Sequence, residues 1–271
     1  MEVYKKGDIF ECQFTYSGDN WEQWILLASD IHFDSRVCDR SLLSRHFQQA
    51  KDKDAPIFVF GDFFDVMGTK KDPRSHMSDI RPEYTTKKGY LNLVSNDAID
   101  FCKKYPIEFI SEGNHEQNIA KRHEIDIIEN LCKGIDAKQG DYAGYLRFSF
   151  YNQTGGGKRK LDMYYNHGAG GNSPVTKGTI QTNRRGVAFD ADIFVSGHNH
   201  NRWSMELMRQ RVDKMGNIKT TAQNHINLGT YKGQDDWEKQ MGFPSPNKGG
   251  VWLRFYKFGD DEQIRTQVIN A

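Results

Sequence analysis

Ile57-Phe58-Val59-Phe60-Gly61-Asp62-Phe63-Phe64-Asp65 is a short apolar run that stops at a glycine followed by two aspartates. Four branched or aromatic residues in succession suit a strand buried in a sheet. The pattern recurs on both sides of this stretch. Trp24-Ile25-Leu26-Leu27-Ala28 precedes Asp30-Ile31-His32, and Ile107-Glu108-Phe109-Ile110 precedes Gly113-Asn114-His115-Glu116. Leu161–Tyr165 runs into Asn166-His167-Gly168, and Ile193-Phe194-Val195 into Gly197-His198-Asn199-His200. Of nine histidines in 271 residues, five (His32, His115, His167, His198 and His200) fall in these clusters. Strand ends in an open α/β sheet can converge on one rim. In an extended segment residues i and i+2 point the same way, so Asp30 and His32 are expected to share a metal. Mixed His, Asp and Asn ligands without thiolate suit Mn, Fe, Zn, Co or Ni. The five clusters together point to a site for two divalent ions, with Mn the first expectation.

In order, spacing and residue type the five clusters resemble the motifs of the calcineurin-like metallophosphoesterase family, from Asp30 to His200. The resemblance implies one ion held by Asp30, His32, Asp62 and His200. A second would be held by Asp62, Asn114, His167 and His198, with Asp62 bridging. His115 matches the family's outer histidine, which steadies the transition state and protonates the leaving oxygen. Asp62, Asn114 and His115 are thus the expected catalytic residues. One departure is visible: Val66 follows Asp65, where many members carry arginine. The implied fold is α/β, a four-layer α/β/β/α sandwich of two mixed sheets flanked by helices. The implied reaction is hydrolysis of a phosphate ester by a metal-bridging hydroxide, with two metals about 3.5–4 Å apart. Phosphodiesters are the favoured substrates, DNA or nucleotides among them. A phosphomonoesterase acting on small molecules or phosphoproteins is the alternative, and a metal-bearing scaffold without catalysis the third reading.

Composition bounds the rest. The net charge is +1, from 37 basic and 36 acidic residues, which argues weakly against a dedicated nucleic-acid binder. Basic stretches occur at Lys70-Lys71-Asp72-Pro73-Arg74, Lys158-Arg159-Lys160 and Arg184-Arg185, and most such runs are solvated. The length suits one domain over 1–271, with loop insertions near 68–88 and 229–250. The first insertion places Arg74, His76 and Arg81 within reach of a phosphate or its neighbours. No apolar run approaches the roughly 18 residues of a membrane span. The first residues lack the apolar stretch of a secretory signal. Cys12, Cys38, Cys102 and Cys132 form no metal-type pair. A reducing cytoplasm is the expected setting, with a phosphoester as partner and no membrane; the sequence leaves the oligomeric state open.

Helices are expected over Arg36–Ala50, Tyr90–Lys104, Lys121–Lys133 and Lys177–Phe189, and a hairpin joins Tyr145–Tyr151 to Lys160–Tyr165. Strands are expected near His225–Leu228, Val251–Phe258 and Gln263–Val268. His46, His123 and His225 read as structural. Asp65 reads either as an acceptor that orients a ligand histidine or as a cap. Glu116 either bonds within its own loop or neutralises a nearby base. Gly168-Ala169-Gly170-Gly171 either lets backbone approach the metals or forms a plain turn. Tyr231, Trp237 and Phe243 pack as core or stack on a base.

Overall fold

The computed structural model describes residues 1–271 apart from 19, 70–76, 86–88, 154, 156–157, 171–174, 177 and 260–262. The chain opens with β1 (Glu2–Lys6), β2 (Ile9–Tyr16), β3 (Asn20–Ala28), α1 (Arg40–Asp52) and β4 (Ile57–Phe60). Next come α2 (Pro82–Thr85), α3 (Tyr90–Cys102), β5 (Ile107–Ser111), α4 (Asn114–His123), α5 (Ile127–Ile135) and β6 (Lys138–Gly140). The hairpin β7 (Ala143–Asn152) and β8 (Lys158–Asn166) leads to α6 (Thr179–Ala188) and β9 (Ile193–Ser196). The chain ends with β10 (Trp203–Val212), β11 (Ile218–Asn227), α7 (Asp236–Gln240), β12 (Val251–Phe258) and β13 (Arg265–Asn270).

Two mixed sheets form. One has the order β13-β12-β3-β4-β5-β6, parallel from β3 to β6 and antiparallel at the β12 side. The other has the order β1-β2-β7-β8-β9-β11-β10, with β2–β7, β8–β9 and β9–β11 parallel. Between the sheets lies a slab rich in phenylalanine, including Phe14, Phe58, Phe60, Phe109, Phe148, Phe150 and Phe255. The outer face of the first sheet packs against α1, α3 and α5 through Leu43, Phe47, Val94, Ala98, Ile128 and Leu131. The second sheet carries a small outer cluster, Tyr164, Ala191 and Phe194, with Phe189 just beyond α6 stacked on Tyr164. The expected four layers are present, with the fourth reduced to α6. Among the described residues no helix is long and apolar enough to cross a membrane.

Three local expectations need correction. The single helix expected over Lys121–Lys133 is two. Glu124 takes a left-handed conformation (φ 57°) that ends α4, and the Asp126 side chain caps α5 by accepting the Glu129 N–H at 2.7 Å. Another is the strand expected only at His225–Leu228, which extends back to Ile218 and pairs over ten residues with β10. Most of that hairpin faces solvent, so its sequence carries no burial alternation to reveal it. α1 begins four residues later than expected, at Arg40, because Asp39 accepts the Leu42 N–H at 3.0 Å.

Candidate metal centre

Each of the five clusters sits just past the carboxyl end of a strand: β3, β4 and β5 from one sheet, β8 and β9 from the other. Backbone bonds beyond the strands tie the loops together. The Asp30 N–H donates to the Gly61 carbonyl (3.1 Å), His32 N–H to Asp62 O (3.1 Å) and Gly197 N–H to His167 O (2.9 Å). Five of the seven expected ligands have positive φ: Asp30 (51°), His32 (49°), Asp62 (49°), His198 (73°) and His200 (56°). Left-handed backbone costs an ordinary L-residue about 1–2 kcal/mol, and such residues cluster where a site dictates their geometry. Asp30 and His32 are therefore not extended, as their spacing suggested. Their side chains approach the same neighbour through left-handed turns instead. Space is tight as well: a Cβ on Gly113 would strike Asp62 Oδ1, and one on Gly197 would strike Ser29 Oγ and Asp30 Oδ2.

Asp30, His32 and His200 bring one ligand atom each within 4.8 Å of one another, and so do Asp62, His167 and His198. These trios fall within the two expected ligand sets. His32 donates Nδ1–H to Asp65 Oδ1 at 2.8 Å, which leaves Nε2 with its lone pair, 3.2 Å from His200 Nε2. His200 Nε2 is also 3.4 Å from Asp30 Oδ1. His167 donates Nδ1–H to the Phe60 carbonyl at 2.9 Å, and its Nε2 faces Asp62 Oδ2 at 3.1 Å. That Nε2 and Asn114 Oδ1 are both buried and make no hydrogen bond among the described residues. Buried polar atoms left without a partner are what a bound cation would satisfy. The residues therefore fit divalent metal ions.

The charges give the same answer. Burial works against ionising Asp62, but His167 and His115 outweigh it and hold the carboxyl well below its ordinary range. Burial likewise disfavours a charged His167, yet Asp62 and Asp30 raise its pKa to about 10. The pocket thus demands positive charge beside Asp62. His32 behaves oppositely: burial dominates and lowers its pKa to about 4, which keeps it a neutral donor of a lone pair.

His115 lies outside both of these trios and forms a third close group with His32 and Asp65. Its Nδ1–H donates to the Asp65 carbonyl at 2.6 Å, and its Nε2 is 3.9 Å from Asp62 Oδ2. The ring packs edge-on against His32 and keeps 14% of its side chain exposed, whereas Asp62 keeps 3%. Its backbone N–H donates to Asp62 Oδ1 at 3.0 Å. Asp65 is accordingly the acceptor that orients His32. Glu116 joins its own loop to the one after β4, accepting backbone N–H groups from Gly113 (2.8 Å), Phe64 (2.9 Å) and Asp62 (3.2 Å). Burial and the nearby Asp62 raise its pKa to about 7.

Several residues that the clusters did not flag support the centre. Buried Asp34 accepts the N–H groups of Asp65 (2.7 Å) and Val66 (2.9 Å) and the Tyr90 hydroxyl. Ser29 Oγ lies 2.6 Å from Asp30 Oδ2, and Thr230 Oγ1–H donates to the Asp30 carbonyl at 2.6 Å. Lys232 Nζ stands 3.6 Å from Asp65 Oδ1 and 3.1 Å from Asp235. Asp34 and Ser29 adjoin the first cluster, which was their one signal; Thr230 and Lys232 arrive from the far end of the chain.

Arg81 pairs with Glu83 at 2.6 Å rather than pointing free, while Arg74 and His76 lie outside the described residues. Tyr231 is core, stacked edge-on with His46. Phe243 is exposed, and the Trp237 side chain lies outside the described set. His225 is buried and stacked on Phe194. Gly168 and Gly170 take positive φ, and Gly168 packs against His198; Gly171 is outside the described residues.

No family model matches the chain, and no curated protein does. Among solved structures it is similar to a metallophosphoesterase from Sphaerobacter thermophilus, at 13% identity and TM-score 0.38, covering 92% of this chain and 88% of that one. It is also similar to a predicted phosphoesterase from Streptococcus pneumoniae, at 12% identity and TM-score 0.32, covering 92% and 90%. A third is Vps29 of Chaetomium thermophilum, at 10% identity and TM-score 0.35, covering 92% and 97%. The identities are low, and the chemistry of the centre is read from its own side chains.

Proposed function

We propose that the protein is a binuclear metal-dependent phosphoester hydrolase of the calcineurin-like kind, acting on phosphodiesters. The observation that carries this reading is the facing of buried imidazole nitrogens and carboxylates, His32 Nε2 on His200 and His167 Nε2 on Asp62, in two adjoining trios. Asp30, His32, Asp62 and His200 would hold one divalent ion, and Asp62, Asn114, His167 and His198 the other. Two such ions, Mn first among the candidates, supply charge that clamps phosphoryl oxygens and acidifies water.

The chain supplies the remaining chemistry. His115 has Nδ1 committed to the Asp65 carbonyl, so Nε2 is the position that carries a proton to the leaving oxygen. Its partial exposure leaves that edge reachable from outside. Asn114 presents an amide oxygen without a hydrogen bond among the described residues beside the ligands, where it would help place the ester. Asp65, fixed through its backbone by Asp34, keeps His32 in one tautomer. A histidine acid matters most for poor alkoxide leaving groups, which favours unactivated diesters, DNA or nucleotides among them.

The test is hydrolysis by Mn-loaded protein of an aryl monoester, an aryl diester, single-stranded DNA and double-stranded DNA, each repeated with Asp62→Asn. Diester or DNA cleavage lost in the variant supports the reading. Monoester cleavage alone overturns the substrate class, and no cleavage with two metals bound overturns the activity.

A further inference from the structure

We propose that Arg185 is an anion clamp of this centre, gripping a phosphoryl oxygen of the substrate from the α6 side. The inference rests on the phosphoester reading and adds to it a residue that determines substrate affinity.

The basic pair Arg184-Arg185 divides in the structure: Arg184 is exposed, and Arg185 is half-buried. Arg185 lines a cleft together with Gly168, Gly178, His198, Asn199 and Asn227. Its guanidinium therefore shares an open space with an expected metal ligand, His198. Its Nη2–H donates to Asn166 Oδ1 at 3.3 Å, and the same oxygen accepts the Gly168 N–H at 2.9 Å. The head group is thus tied to the two residues that flank His167.

No carboxylate accompanies it. Elsewhere on the same sheet Arg147 pairs with Asp162 at 2.7 Å and Arg209 with Asp192 at 3.2 Å, and by the centre Lys232 pairs with Asp235 at 3.1 Å. Arg185 has no carboxylate within 4 Å among the described residues; the ionisable groups around it are the Tyr164 and Tyr142 phenols and the His225 imidazole. A covered cation without a counter-charge is unfavourable. An entering phosphate supplies that charge, and a guanidinium with most of its donors uncommitted matches phosphate oxygens in a planar fork. Among the described residues that line the cleft, Arg185 is the cation.

The experiment compares wild type, Arg185→Gln and Arg185→Lys in the metal-loaded protein. Inorganic phosphate binding is measured by calorimetry, and KM and kcat are measured on bis(p-nitrophenyl) phosphate. Arg185→Gln is expected to weaken phosphate binding and raise KM by roughly 10- to 100-fold, the worth of a charged hydrogen bond, with kcat little changed. Arg185→Lys should recover part of both. Unchanged phosphate affinity in Arg185→Gln, or a wild type that binds no phosphate, overturns the clamp even if esters are cleaved. Phosphate binding that depends on Arg185 in a protein that cleaves no ester keeps the clamp and removes the hydrolase reading.

Discussion

His32 gives its Nδ1 proton to Asp65, 2.8 Å away, and this one bond decides which ring nitrogen faces the centre. Asp65→Ala leaves His32 free to swap tautomers and to rotate. Loss of such an outer partner typically weakens metal binding 10- to 100-fold. Metal titration calorimetry on Asp65→Ala should show one of two ions weakened by about that factor, with the other retained. Equal affinity for both ions would remove the orienting role.

His115 separates binding from chemistry. His115→Ala should keep both metals yet slow esters with poor leaving groups by roughly 10²–10⁴-fold, while sparing activated aryl esters. Parallel kcat measurements on an alkyl and a nitrophenyl diester decide the matter; equal slowing of the two would falsify the general-acid assignment.

Glu116 is expected to matter for folding more than for catalysis. Glu116→Ala strands the buried N–H groups of Gly113, Phe64 and Asp62. At about 1–3 kcal/mol for each unsatisfied group, the total loss is about 3 kcal/mol or more. Urea unfolding of the variant should show this as a lower midpoint.

Gly197→Ala brings a methyl group onto Ser29 and the Asp30 carboxylate. The expected outcome is a larger loss of metal affinity than of melting temperature, read by titration and calorimetric scan on one sample. A change confined to melting would mean that Asp30 can yield without cost to the site.

Acid should destabilise the fold through two buried histidines that are not among the expected ligands. Burial lowers the pKa of both His46 and His225 to about 4. In the unfolded chain each would titrate near about 6.5. The unfolded state therefore binds the extra protons first. Stability is fully present above about pH 6.5, falls between that value and about 4, and levels off below. His46→Gln should flatten this slope in urea melts taken across that window, and an unchanged slope would remove His46 from the account.

The strands that deliver the site were legible because each is an apolar run halted by glycine or a polar turn; β4 and β9 match their expected bounds to within a residue. Six of the seven expected ligands also fall into two close trios, since residues at the ends of neighbouring parallel strands have few other places to go. What the chain concealed has physical reasons. Positive φ at Asp30, His32 and Asp62 leaves no mark in residue type, because these are not glycines. The β10–β11 hairpin hides because Met208, Val212, Met215 and Ile218 are exposed, so polarity does not alternate with the pleat. Lys232 reaches Asp65 from 167 positions away and Thr230 reaches Asp30 from 200, pairings that no local window can contain.

The phenylalanine slab acts as a ruler. Asp30, His32, Asp62 and Asn114 ride on one sheet, while His167, His198 and His200 ride on the other. The gap between the two groups is therefore set by how thickly Phe58, Phe109, Phe148 and Phe255 fill the space between sheets, as in the stacked pair Phe58–Phe148 at 6.3 Å. Close-packed interiors transmit volume changes rather than absorb them. Thinning that slab far from any ligand would retune the spacing across the centre, so the calibration of the chemistry is written in residues that never touch it.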